Sequence, residues 1–286
     1  MDTIRVPVAD GVELACDRFP PRPGTVPGPA FVLVHGLASN ARLWDGVAGR
    51  LTALGHPVVT VDLRGHGRSS RPDGPYDIPT VAADLAEAIR ALDLDRPVVA
   101  GQSWGGNVVL QLAADHPSLV RGIACVDGGW LEPSREFKDW DACLAALAPP
   151  RLVGRPLRDV EGYLRSSHGG WPEAGIRGFL SNFEVRPDGT VAPWLSYEHH
   201  VDVLHGLWQH RPSELYAALR VPVLLLPADT DQAAWTERKR EAVARAAAAI
   251  PRCRVRWFTG DHDIHAQRPD EVGDVLHAMT ADGFAA

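Results

Sequence analysis

The strongest constraint on the fold is a rhythm. Short, wholly apolar runs of strand length alternate with segments of helical periodicity along most of the chain. Residues 30–34 form one such run, and residues 41–54 carry Leu43, Val47, Leu51 and Leu54 at helical spacing before Gly55 stops them. Then come a strand at 57–61, a helix opening at Thr80 with Val81, Leu85, Ile89 and Leu92 on one face, and a strand at 98–100. A helix over 107–114 and a strand at 120–126 complete this half. Ahead of it, residues 3–8 and 12–19 flank Asp10-Gly11, a hairpin signal, and residues 20–29 form a Pro/Gly loop. The alternation predicts an α/β fold, a mostly parallel central sheet with helices on both faces. Ligands of such sheets bind beyond the carboxyl ends of the strands. His35-Gly36, Asp62, Ser103 and Asp127 all follow predicted strand ends.

The rhythm breaks at Gly128. From 128 to 211 the chain is rich in proline, arginine and tryptophan (Trp130, Trp140, Trp171, Trp194, Trp208), with helical patches at 157–165 and 197–210. It resumes with a strand at 221–226, a helix at 233–249, a strand at 254–258 and a helix at 269–279. The expected division is a core of 1–127 and 212–286 interrupted by a helical cap insertion at 128–211.

Between the strand at 98–100 and its helix stands Gly101-Gln102-Ser103-Trp104-Gly105. A serine on so sharp a strand-to-helix turn is pushed off the sheet edge, and the glycines relieve the crowding. The N–H that follows lies at a helix N-terminus, where orphan donors and the helix dipole favour negative charge. That is a recipe for an exposed nucleophile beside half of an oxyanion hole.

The totals narrow the alternatives. A net charge of −7 argues against a nucleic-acid partner or an anionic membrane surface. The basic residues are nearly all arginine; only Lys138 and Lys239 are lysines. Cys16, Cys125, Cys143 and Cys253 lack C-x-x-C spacing and read as small core residues of a reducing compartment. With no signal-peptide pattern and no membrane-spanning run, a cytoplasmic protein is expected, as a monomer or homodimer. His199, His200, His205 and His210 lack the i, i+4 spacing of shared ligands, so no metal site is expected.

Five motifs, in order, resemble those of the α/β-hydrolase superfamily, in its capped, serine esterase and lactonase-like branch. They are His35-Gly36, Asp62-x-Arg64-Gly65-His66-Gly67-x-Ser69, Gly101-x-Ser103-x-Gly105, Ala228-x-x-Asp231, and Gly260-x-His262 ahead of Pro269. The resemblance implies a triad in the chain order Ser, acid, His. Ser103 is then the nucleophile and His262 the base. The acid is Asp231 by the family spacing, with Asp127 and Asp229 as alternatives; Ala228 stands where the family has glycine. The oxyanion donors would be the N–H groups of Leu37 and Trp104. His35 would be a structural hydrogen-bonder, and Asp62, Arg64 and His66 a loop brace. Trp104, Trp130, Trp208 and His265 are expected to line the substrate pocket.

The reading is a cofactor-free serine hydrolase that cleaves a small to medium hydrophobic ester or lactone through an acyl-enzyme on Ser103. The same machinery serves amide, thioester or carbon–carbon hydrolysis and acyl transfer, and a non-turnover ligand receptor is the alternative from another class. Serine at position 103, where some relatives carry aspartate, counts against haloalkane dehalogenase and epoxide hydrolase chemistry.

Overall fold

A computed structural model describes residues 2–229 and 233–285, the side chains of 233–235 excepted. Strands β1 (Asp2–Pro7) and β2 (Glu13–Phe19) form an antiparallel hairpin. Asp10 and Gly11 both take positive φ in its turn, 59° and 70°. There follow β3 (Phe31–Val34), α1 (Asp45–Ala53), β4 (Val58–Asp62), α2 (Ile78–Ala91), β5 (Val98–Gln102), α3 (Trp104–Asp115) and β6 (Gly122–Val126). The helix expected over 41–54 is split. A 3-10 turn, Ala41–Trp44, precedes α1, and the Asn40 side chain caps that turn by accepting from Arg42 N.

Between β6 and the next strand of the main sheet lie α4 (Pro133–Glu136), α5 (Trp140–Leu147), α6 (Leu157–Ser167) and α7 (Glu173–Leu180). The same segment continues with strands β7 (Phe183–Val185) and β8 (Val191–Pro193), then α8 (Tyr197–Gln209) and α9 (Pro212–Leu215). The β7–β8 hairpin was not expected from the sequence. It turns at Asp188-Gly189, where Gly189 has φ 78° and the Asp188 carboxylate accepts from Thr190 N at 2.9 Å.

The chain closes with β9 (Val223–Leu226), β10 (Ala228–Asp229), α10 (Ala233–Ala249), β11 (Cys253–Val255), β12 (Phe258–Thr259), α11 (Ile264–Gln267) and α12 (Pro269–Ala281). The strand expected at 254–258 divides in two. Strand β11 pairs with β9 in the main sheet, while β12 pairs with β10.

The main sheet has eight strands in the order β1-β2-β4-β3-β5-β6-β9-β11. Strand β2 runs antiparallel to both neighbours, and every other neighbouring pair is parallel. Because side chains alternate across a strand, β5 feeds both faces: Val99 joins the core under α2, α3 and α10, and Val98 and Ala100 the core under α1 and α12. This double burial is why the central strands are continuously apolar. Each large aliphatic side chain so buried contributes about 1.5–3 kcal/mol. The strand order reverses direction between β3 and β5, so their carboxyl ends flank the crevice where such sheets bind ligands. Among the described residues no helix is long and apolar enough to cross a membrane.

Candidate active site

Strand β5 ends at Gln102 and α3 begins at Trp104, so Ser103 alone turns the chain. It does so at φ 52° and ψ −121°, a conformation rare for any residue with a Cβ. The turn holds because nothing nearby has a side chain in the way. A Cβ on Gly101 would lie 2.2 Å from Gly105 O, one on Gly105 would lie 2.3 Å from His35 O, and one on Gly128 would lie 2.1 Å from Ser103 O. Ser103 N donates to Val126 O and Gly106 N to Ser103 O, each at 2.9 Å, tying the elbow to β6. The N–H of Trp104 opens α3 and has no intrahelical acceptor. Leu37 follows β3 on the same cavity as Ser103, and its N–H donates to no acceptor among the described residues.

His262 stands on the loop between β12 and α11. Its Nδ1 donates to Asp127 Oδ2 at 2.6 Å. Asp127 follows β6, is 1% exposed, and takes φ 44°. Its Oδ1 accepts from Ala228 N at 2.9 Å, and its Oδ2 also accepts from Lys239 Nζ at 2.7 Å. Asp231, placed first by the family spacing, lies outside the described residues; among the described residues the carboxylate bonded to His262 is Asp127, one of the two alternatives. Strands β5 and β6 are neighbours with Gln102 opposite Val126, so the residues just past their ends, Ser103 and Asp127, sit side by side. The Asp229 carboxylate is engaged by α10, accepting from Thr236 Oγ1 at 3.0 Å and from Arg240 Nη2 at 2.9 Å.

Three elements fix the His262 loop. Gln102 Nε2 donates to His262 O at 3.2 Å, Gln267 Oε1 accepts from Asp261 N at 2.9 Å, and Trp171 Nε1 donates to Asp261 at 2.8 Å. Gln102, the residue before Ser103, was missed as a site residue. Desolvation by the surrounding protein would by itself disfavour charge on both members of the His262–Asp127 pair. Their hydrogen bond and mutual attraction outweigh it, so Asp127 is held below the usual carboxylate range and His262 above the usual imidazole value. Asp263 adds to the rise at His262 and Lys239 opposes it. With Nδ1 donating, Nε2 is left as the basic nitrogen.

Ser103 and His262 line one cavity of about 730 Å³, and the imidazole is 51% exposed. Its walls are mostly apolar: Leu43, Phe179, Phe183, Pro193, Trp194 and Leu195, with Arg151, Arg186, Glu198, His200 and Asp263 as charged or titratable groups. The Arg151 guanidinium lies 4.0 Å from the centre of the Tyr197 ring, a cation–π contact. Burial pushes His200 down to about 4, so it stands there neutral.

The aromatic wall differs from the one expected. Trp104 is fully buried and stacks on His66, with ring centroids 5.3 Å apart. Trp130 is 5% exposed within the core that underlies α3. Trp208 packs on Trp140 at 6.2 Å, and His265 is wholly buried against Trp44 at 4.3 Å. None of the four lines the cavity. Wide rings gain most by burial away from water, and of the five tryptophans of 128–211 only Trp194, just after β8, reaches the cavity.

His35 bonds Gly36 O through Nδ1 at 2.8 Å and accepts from Leu63 N through Nε2 at 3.0 Å, bracing the loop after β3. The histidines of α8 and its C-cap disperse: His199 onto Tyr76, His205 onto Trp140, and His210 onto Asn107 and Gln111. Among the described residues no group of side chains is arranged to hold a metal ion.

Comparison with known proteins gives a consistent result. The family model described as alpha/beta hydrolase fold matches residues 29–150. The 2-(acetamidomethylene)succinate hydrolase of Mesorhizobium japonicum is 28% identical over 208 residues, 72% of each chain. The crystal structure of E-2-(acetamidomethylene)succinate hydrolase superposes with a TM-score of 0.78 at 23% identity, covering 99% of both chains. That of the enol-lactonase from Burkholderia xenovorans superposes with a TM-score of 0.68 at 20% identity, covering 95% of this chain and 98% of that one. At such identities the superpositions show the fold. The first curated relatives, uncharacterized mycobacterial proteins 36% identical over 102 residues, are matched over 30% of their length.

Proposed function

The chain is an α/β hydrolase by fold, and from that premise we propose that it is a serine hydrolase with Ser103, His262 and Asp127 as its triad. The observation that carries the proposal is the pairing of His262 with a buried carboxylate, while the same imidazole opens onto the cavity that Ser103 lines. His262 Nε2 takes the Ser103 proton as Oγ attacks a carbonyl carbon, and Asp127 holds the ring and stabilises the imidazolium. The N–H groups of Leu37 and Trp104 receive the oxyanion, a contribution of about two to three powers of ten per donor. His262 then protonates the leaving group and activates the water that cleaves the acyl-enzyme. No cofactor enters.

The proposed substrate is a small to medium hydrophobic ester or lactone. A largely apolar cavity of about 730 Å³ suits it, and so does the likeness to an enol-lactonase. Residues 128–211, which supply much of the cavity wall, act in this reading as the cap. An amide is the second reading, favoured by the relative whose named substrate carries an acetamido group.

The test is a fluorophosphonate label together with a panel of p-nitrophenyl esters and lactones of graded size. Labelling confined to Ser103 with steady turnover is expected. Labelling without turnover of any ester, lactone or amide would make the protein a ligand receptor on this fold.

A further inference from the structure

Helix α10 presents three donors to the strand ends beneath the site. Thr236, Lys239 and Arg240 stand at i, i+3 and i+4 and so share one face. Thr236 and Arg240 are occupied by Asp229. Lys239 Nζ donates to Ala228 O and to Asp127 Oδ2, each at 2.7 Å. Its side chain is 16% exposed. The residue type is itself informative, because Lys239 is one of two lysines in a chain whose other 27 basic residues are arginine. A guanidinium is a planar fork suited to grip both oxygens of a carboxylate, whereas an ammonium is a compact point charge. Here the compact charge fits between a carbonyl and the one carboxylate oxygen that His262 also uses, leaving Oδ1 to Ala228 N.

We propose that Lys239 is a positioning residue for the acid–base pair, its ammonium holding Asp127 Oδ2 at His262 Nδ1 and offsetting part of the carboxylate's charge. The inference rests on the triad reading above. Its consequence falls on the imidazole. Asp127 and Asp263 favour the imidazolium, and Lys239 opposes it. His265 on α11 is buried and neutral, pushed down to about 3, and Asp261 is engaged by Trp171 and His168. Among the described residues Lys239 is therefore a cation that keeps the carboxylates from holding the His262 proton to higher pH.

The experiment compares the wild type with Lys239→Met, Lys239→Gln and Lys239→Arg by two readouts. One is kcat/KM for a p-nitrophenyl ester across pH; the other is the NMR titration of the His262 imidazole, assigned by its loss in His262→Gln. Removing the charge in the Met and Gln variants raises the titration point of His262. The acid limb of kcat/KM then moves up by about half to one pH unit, so the loss is up to ~10-fold at pH 6 and smaller at pH 8.5. Lys239→Arg keeps the charge and leaves the limb in place, with a lower plateau from the misfitting fork. A loss equal at every pH in all three variants, with His262 titrating as in the wild type, would make Lys239 merely structural and overturn the proposal. A wild type without turnover would overturn the hydrolase reading instead, and the NMR titration would still decide the role of Lys239.

Discussion

Two buried aspartates at strand ends invite comparison. Asp62 closes β4 and Asp127 follows β6, and each is 1% exposed. The Asp62 carboxylate accepts from Ala41 N at 2.7 Å and from Arg68 N and Nε at 3.1 and 3.0 Å. Arg68 in turn grips Asp17 with two bonds, at 2.9 and 2.7 Å. Every partner of Asp62 keeps its proton throughout the neutral range, so the cluster is a permanent brace between β2, β4 and the loop after β4. Asp127 is as buried and as fully bonded, but one of its partners is an imidazole with an open face on the cavity. Burial and charge do not by themselves distinguish a catalytic carboxylate. In the proposed triad, what sets Asp127 apart is a titratable partner open to the cavity.

The sharpest break between the two should come from substitution. Ser103→Ala and His262→Ala should each lower kcat by about 10⁴- to 10⁶-fold. Asp127→Asn should cost about 10³- to 10⁴-fold by leaving the imidazole in the wrong tautomer, as measured with a saturating p-nitrophenyl ester. Asp62→Asn should act on the other axis, with a loss of about 3–5 kcal/mol in urea unfolding and kcat of the folded protein little changed. An Asp62→Asn enzyme that stays stable but loses turnover like Asp127→Asn would erase the contrast.

The pH dependence sharpens it further. Since His262 is raised above 6.5, kcat/KM should climb as pH rises through a value above 6.5. The stabilising effect of His262 on the fold runs the other way. It is complete below pH 6.5 and is lost as pH rises through the raised folded value. The effect of Asp127, whose value is lowered from 3.8, is present above pH 3.8 and is lost as pH falls through the lowered folded value. Denaturation midpoints followed from pH 3 to 9 would show the pair contributing most between those limits, and Asp127→Asn should flatten the profile. The smallest effects are expected at the two other candidate carboxylates. Asp229→Asn and Asp231→Asn should leave kcat/KM within about threefold of wild type. A large loss in Asp231→Asn beside a small one in Asp127→Asn would return the acid to the position first chosen from the family spacing.

Much of this molecule was legible before its structure. The strand–helix rhythm, the elbow at Ser103 and the G-x-H of His262 are local patterns, set by a few neighbouring residues and their space requirements. The pairing of His262 with Asp127 was not local. Which strand-end carboxylate reaches His262 depends on where the loop from β12 crosses the sheet, and spacing within that loop's own half of the chain carries no information about β6. A signal was present in Asp127-Gly128-Gly129: a glycine at 128 is required because a Cβ there would strike Ser103 O at 2.1 Å, placing Asp127 beside the elbow. The cavity wall was the least legible part. Tryptophans were the conspicuous residues, yet Trp104 and Trp130 went into the core, and part of the wall came from the short β7–β8 hairpin and the prolines at 149 and 150.

The most direct measurement of whether Ser103, His262 and Asp127 act as one unit is a double-mutant cycle on the acylation step. The rate of the p-nitrophenol burst would be followed in the wild type, His262→Ala, Asp127→Asn and the double variant. If Asp127 works through His262, the double variant should acylate Ser103 within about threefold of His262→Ala alone. Losses that multiply in the double variant would show Asp127 and His262 acting independently and would contradict the triad.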